Sequence, residues 1–236
     1  TWPPAESVAR AGWRLRRGMG GGQRVSAASP LGPAPDIAAA EAAMAAWGQA
    51  PLFRVTPAEG AVDAALTAAG YRVHDPVAVY AAPIPALADG RDETARIIRV
   101  STPLALMDEI WDAGGIGPAR RAVMDRAPGP AIRLMARLGD RPAGCAFVAC
   151  DGSVAMLHAM EVLARHRRSG AGQMLLHGAA NWAAEQRAEH LALAVTEDNA
   201  PFGFHNETDG LLDRFQNFTQ SSFFPFDQDK FMQATH

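Results

Sequence analysis

Lysine is almost missing from this chain: Lys230 stands alone against 21 arginines, and the formal net charge is −3. No strongly basic field is therefore present to draw in nucleic acid. Cysteine is equally scarce, with only Cys145 and Cys150. Five residues apart on one strand-like run, they point to opposite faces, so a disulfide between them is not expected. Reduced thiols in the cytoplasm are the simpler reading. No apolar run reaches the roughly 18 residues of a membrane-spanning helix. The opening Thr1-Trp2-Pro3-Pro4 lacks the basic-then-apolar pattern of a secretory leader. His166, His177, His190 and His205 show no metal-ligand spacing, so no metal is expected. Tyrosine occurs only at Tyr71 and Tyr80, both in the first half.

What is there suffices for one sizeable core or two small domains: 236 residues, 48% of them hydrophobic. The most informative stretch is Arg167-Arg168-Ser169-Gly170-Ala171-Gly172. It follows an apolar strand-like run, Val154 to Leu163, and precedes a helix-like run, Gln173 to Arg187. The first N–H groups of a helix have no internal partner, and the helix dipole there favours negative charge. Glycines at 170 and 172 let the backbone approach a phosphate, and two arginines add charge. Strand, glycine turn and helix together read as a pyrophosphate cradle.

These residues carry a family resemblance. Arg-x-x-Gly-x-Gly after a strand ending Met160-Glu161-Val162-Leu163 resembles the acetyl-CoA motif of the GNAT acetyltransferase superfamily. The apolar strand Leu191 to Val195 and then Asn199-Ala200-Pro201 continue the pattern. The resemblance is specific from about Ile132 to Pro201. It implies an α/β fold: a mixed, mostly antiparallel sheet with helices on both faces. The parallel strands 154–163 and 191–195, joined by a crossover helix, splay around acetyl-CoA. It implies that Met160, Glu161 and Val162 hold the pantetheine arm and that one of their N–H groups meets the oxyanion. Arg167, Arg168, Ser169, Gly170, Ala171 and Gly172 then hold the pyrophosphate, mainly through backbone groups, and Asn199 completes the site. The acceptor is an amine of a small molecule or peptide, with no nucleic-acid or membrane partner.

Glu161 is the expected general base. Apolar residues flank it on a central strand, and burial raises a carboxyl pKa towards the working range. The alternative is a partly exposed carboxylate paired with an arginine such as Arg165. His158 falls on the opposite parity of the strand and reads as a satisfied core histidine. One departure is evident. The family commonly carries a tyrosine about seven residues after the motif asparagine, to protonate the thiolate; this chain has Asn206 there. Either His205 or water serves instead, or the protein binds coenzyme without efficient turnover.

In the first half, Trp13 to Arg17 alternates apolar and basic residues as a half-exposed strand does. Gly18 to Gly22 reads as a hairpin loop and Arg24 to Ala28 as the partner strand, with anion binding the lesser alternative. Ile37 to Trp47 is helical, Leu52 to Val55 a strand, Gly60 to Ala69 a helix stopped by Gly70, and Val77 to Ala82 a strand. This order is loosely similar to a degenerate GNAT half without the anion turn; an unrelated α/β lobe fits it equally well. Residues 1–83 are thus an N-terminal lobe, 84–94 a linker and 95–200 the acetyl-CoA domain. In that domain, Ile97 to Val100 is a strand, and helices Pro103 to Trp111 and Pro118 to Arg126 flank Gly114-Gly115. Ile132 to Leu138 and Ala143 to Cys150 form a hairpin.

Residues 201–236 differ in character. Eight of the ten phenylalanines lie there, and a single alanine, Ala234. Two readings stay open: an aromatic layer that closes the core, or a tail of separate origin. An aromatic tail also suits a homodimer contact.

Overall fold

A computed structural model describes residues 1–87, 96–196 and 229–234. Its first strands, β1 (Glu6–Arg10), β2 (Trp13–Arg17) and β3 (Ser29–Pro30), form a three-stranded antiparallel sheet. The partner of β2 is therefore β1 on one side and β3 on the other, not the expected Arg24 to Ala28. Gln23–Val25 is a single 3-10 turn instead. Gly18 to Gly22 does not close the expected hairpin; Gly20 and Gly21 lie against Ala119 and Val123 of the second half. The cause is close approach: a Cβ on Gly21 would overlap the Val123 side chain.

Next come α1 (Ile37–Ala46), β4 (Leu52–Val55), α2 (Gly60–Ala68) and β5 (Tyr71–Pro83). Asp36 caps α1 by accepting from the Ala39 N–H at 3.0 Å. Strand β5 begins earlier than the expected Val77. Pro76 obscures it in the sequence, and the structure places that proline at a register shift, where a missing N–H is tolerated. The expected linker opens with a helical turn, α3 (Ile84–Leu87), whose Ile84 and Leu87 are buried.

The second half runs β6 (Ile97–Val100), α4 (Ala105–Ala113), α5 (Pro118–Asp125), β7 (Ala131–Leu138), β8 (Arg141–Asp151), β9 (Val154–Val162), α6 (Ala171–Glu185) and β10 (His190–Thr196); β11 (Asp229–Ala234) follows. One eight-stranded sheet takes the order β4-β11-β5-β10-β9-β8-β7-β6. Among the described strands of this sheet, β9 and β10 pair in parallel and the other neighbours pair antiparallel. This is the expected mixed, mostly antiparallel α/β sheet. Its continuity means that the two expected lobes share a sheet, with β5 hydrogen-bonded to β10.

The core is layered on that sheet. Leu175, Leu176, Ala179, Trp182 and Ala183 of α6 are buried against one face, with Leu134, Val148, Leu157 and Leu191. Helices α4 and α5 cover the opposite face through Met107, Ile110, Trp111 and Met124, packed on Met135, Cys145 and Phe147. Cys150 belongs to the first cluster and Cys145 to the second, so the two thiols do lie on opposite faces, both free. The N-terminal core stacks Trp13 on Phe53, with centroids 4.7 Å apart, and sets Phe53 edge-on to Tyr71 at 5.0 Å. Met232 of β11 completes that core, and Phe231 points into the space near Ala27, Leu52 and Val77. Phe231 is the single aromatic residue of 229–234, and it is buried there; the other seven phenylalanines of the tail lie outside the described residues.

Two tests follow from this packing. Phe231→Ala should cost about 3–5 kcal/mol in a urea unfolding curve, the usual range for a fully buried phenylalanine; a loss under about 1 kcal/mol would contradict the insertion of β11 between β4 and β5. Burial pushes both thiols above their ordinary range. Neither should react with iodoacetamide in the native protein at pH 8, while both should react in denaturant, as read by intact mass.

Candidate active site

Strand β9 carries the centre of the site, and an irregularity defines it. Cys145 opposes Glu161 and Phe147 opposes His158, so Ala146 of β8 faces both Ala159 and Met160. Two residues against one is a β-bulge. Ala159 takes the strain, with φ +48°. The indole Nε1–H of Trp111 donates to its carbonyl at 2.8 Å. The parallel ladder with β10 runs only from Val154/His190 to Leu157/Leu193, although β9 continues to Val162 and β10 to Thr196. The two strands therefore part company just before the bulge.

The bulge also corrects an expectation. Simple alternation sets His158 and Glu161 on opposite faces of β9; the extra residue turns both towards α4. His158 lies 6.3 Å from the Phe147 ring and stacks on Trp2 at 4.8 Å. Its Nε2 is 3.1 Å from Thr1 Oγ1, while its buried Nδ1 has no hydrogen-bond partner among the described residues. Burial, reinforced by the charge of Arg24, holds its pKa well below the ordinary histidine value. It is a buried, neutral histidine, as expected, but not a fully satisfied one.

Glu161 is 8% exposed. Its carboxylate rests on Gly114 at the C-terminal end of α4, where any Cβ would overlap it. That close approach explains the small residue in the Gly114-Gly115 break. An arginine does pair with it, as the alternative reading had it, but this is Arg167 and not the Arg165 named as an example: Arg167 Nη2 lies 3.5 Å from Glu161 Oε1, and its Nε donates to the Val162 carbonyl at 3.4 Å. Arg165 instead donates from Nε to His166 Nε2 at 3.3 Å. The negative charge of Glu161 helps burial to push up the Cys145 thiol behind it.

The motif residues connect β9 to α6. After a 3-10 turn at Ala164–His166, Ser169 Oγ donates to the His166 carbonyl at 2.5 Å. Gly170 is the N-cap at φ +82°, a left-handed conformation suited to glycine. The first helical hydrogen bond joins the Met174 N–H to the Gly170 carbonyl at 3.0 Å. Ala171, Gly172 and Gln173 precede it, and the first turn has neither a side-chain cap nor an acidic residue. A Cβ on Gly172 would meet only Val162 Cγ2, at 3.9 Å. The structure thus brings Met160, Glu161 and Val162 together with Arg167 through Gly172 at one end of the sheet. Asn199, His205 and Asn206 lie outside the described residues.

Beside this region, α4, α5 and β7 enclose a cavity of about 230 Å³ that includes Trp111, Arg121 and Arg133. Its charges are internally paired, Arg121 with Asp108 and Asp112, and Arg133 with Asp125. Among the described residues, no three histidine, cysteine, aspartate or glutamate side chains cluster as a metal site. No helix among them is long and apolar enough to cross a membrane. Sequence reasoning missed Trp2 and the support role of Trp111, because neither belongs to a spaced motif.

Comparison with known proteins agrees with this geometry. Residues 103–202 match the acetyltransferase (GNAT) family. No curated protein matches the chain. Among solved structures it is similar to a GCN5-related N-acetyltransferase from Kribbella flavida, at 16% identity and a TM-score of 0.68 over 99% of this chain and 90% of the other. It is also similar to a conserved protein of unknown function from Staphylococcus epidermidis, at 10% identity and a TM-score of 0.61 over 95% and 91%. A tandem GNAT protein from the clavulanic acid biosynthesis pathway shares 16% identity, with a TM-score of 0.58 over 83% and 67%. The splayed strands and the uncapped glycine turn both fall within residues 103–202, the segment that matches the acetyltransferase (GNAT) family, and the whole chain shares the fold of the similar GNAT structures.

Proposed function

We propose that the protein is an N-acetyltransferase that transfers acetyl from acetyl-CoA to an amine of a small molecule or peptide. The observation that carries this reading is the uncapped start of α6 beside the free end of β9. The residues fit the coenzyme. Gly170 supplies the left-handed turn, and Gly172 leaves its face of the helix start open down to Val162. Unpaired N–H groups there, with no acid nearby, suit a pyrophosphate. Bound acetyl-CoA would supply an activated acetyl group on a thioester.

In this reading Met160, Glu161 and Val162 line the pantetheine arm with the β9 edge that β10 leaves unpaired. One backbone N–H of that edge faces the developing oxyanion, a donor worth roughly 3 kcal/mol. Arg167, Arg168, Ser169, Gly170, Ala171 and Gly172 hold the pyrophosphate, with Asn199 a further contact. Glu161 takes the proton of the incoming amine on the α4 side, and Arg167 fixes the direction of its carboxylate. The thiol proton comes from water or His205. Residues 1–83 act as a non-catalytic lobe, and the Phe-rich segment supports a homodimer. The protein works in the cytoplasm, without nucleic acid, membrane or metal.

A second reading has its own observation. Asn206 occupies the position where the family commonly has a tyrosine, which favours coenzyme binding without turnover. Thiol release over a panel of amines separates the two.

Calorimetry should give micromolar acetyl-CoA binding, weakened about tenfold or more by Gly170→Asp, which sets a charge beside the phosphates. Unchanged affinity would remove the assigned cradle. Glu161→Gln should lower kcat by about 10²–10⁴ in the thiol-release assay while leaving acetyl-CoA affinity nearly intact. An unaltered kcat would strip Glu161 of the role of base.

A further inference from the structure

Trp111 is fully buried near the end of α4, and its ring does more than fill space. Its indole N–H is spent on a single backbone atom, the carbonyl of Ala159, at 2.8 Å. That peptide belongs to the bulge, where the regular β8 ladder is interrupted. Ala159 sits at φ +48°, a conformation an alanine adopts only against a steric cost. A carbonyl taken out of a ladder and partly buried calls for another donor, and Trp111 provides it.

The consequences reach the whole site. Without the bulge, Glu161 would turn to the α6 face, away from Gly114. The bulge also lies directly after Leu157, where the ladder with β10 stops. Gly114, which receives the Glu161 carboxylate, is the residue that ends the helix carrying Trp111. One helix end thus holds both the bulge carbonyl and the carboxylate.

We infer that Trp111 is a positioning residue: through the Ala159 carbonyl it holds the β9 bulge, and with it the direction of Met160, Glu161 and Val162. The part of this inference that concerns thioester binding rests on the acetyl-CoA reading above. Trp111 acts through a peptide group, so its removal should be repaired by relieving the strain in that peptide.

The test uses the full chain with Trp111→Phe, Ala159→Gly and the double variant. Phenylalanine keeps most of the ring and deletes the N–H; glycine removes the cost of the positive φ. In Trp111→Phe, amide hydrogen exchange at 159–162 should speed up at least tenfold while 154–157 changes little. Acetyl-CoA affinity should fall about tenfold. The added Ala159→Gly should restore most of both. A packing role alone gives faster exchange spread over α4, β7 and β8, with no rescue by glycine, and that result overturns the inference. If the wild-type protein binds no acetyl-CoA, the functional proposal fails separately, and the exchange pattern with its rescue still decides the role of Trp111.

Discussion

Ala146 on β8 faces two residues of β9 where a regular ladder allows one, and most of the site geometry depends on that mismatch. The surplus residue turns Glu161 to the same face as His158. It lies where β9 leaves β10, so the edge of one central strand stays free of its neighbour. It also forces an alanine into the left-handed region, a local cost that the surrounding core must offset. The buried Trp111 ring, packed among Met107, Ile110 and Phe147, is the part of that core in direct contact with the strained peptide.

The glycines around the site act by two different physical means. Gly170 is required by a backbone angle, and its Cβ would meet nothing. Gly114 and Gly21 are required by proximity: the first admits a carboxylate against a helix end, the second admits the N-terminal lobe onto α5. The second contact matters because α5 is one of the two helices over the Glu161 face. Burial lowers the pKa of Arg120 on the same helix. The N-terminal segment therefore bears on the face of the sheet that α4 and α5 cover, opposite to α6.

Much of this was legible in the sequence. Each strand from Ile97 to Val195 shows as an apolar run, and the helix after Gly172 shows its buried face at helical spacing, because both periodicities follow from backbone geometry alone. The motif 167–172 was legible for the same reason, since strand, turn and helix each leave local marks. The bulge was not. Nothing in Leu157-His158-Ala159-Met160-Glu161 announces an extra residue, because its cause is a tertiary hydrogen bond from a tryptophan 48 positions away. The parity of His158 failed for that reason. Arg167 replaced Arg165 as the partner of Glu161 because the 3-10 turn redirects the chain, an effect that spacing along a strand does not convey. The length of β5 was hidden by Pro76, which reads as a breaker until the opposing strand is known to shift register there.

That opposing strand is β11, and its position has a consequence for how the chain reaches its fold. Strands β4 and β5 are near neighbours in sequence but do not touch in the sheet; residues 229–234 lie between them. Their ladder thus waits for a segment more than 150 residues downstream, a pairing of very high contact order. During synthesis, the apolar surfaces of Phe53 and Tyr71 emerge long before the strand that seals them. The second half, by contrast, is built from hairpins and one crossover and can close on local contacts. The order of assembly implied by the topology is the reverse of the order of translation: the second half first, the N-terminal half last.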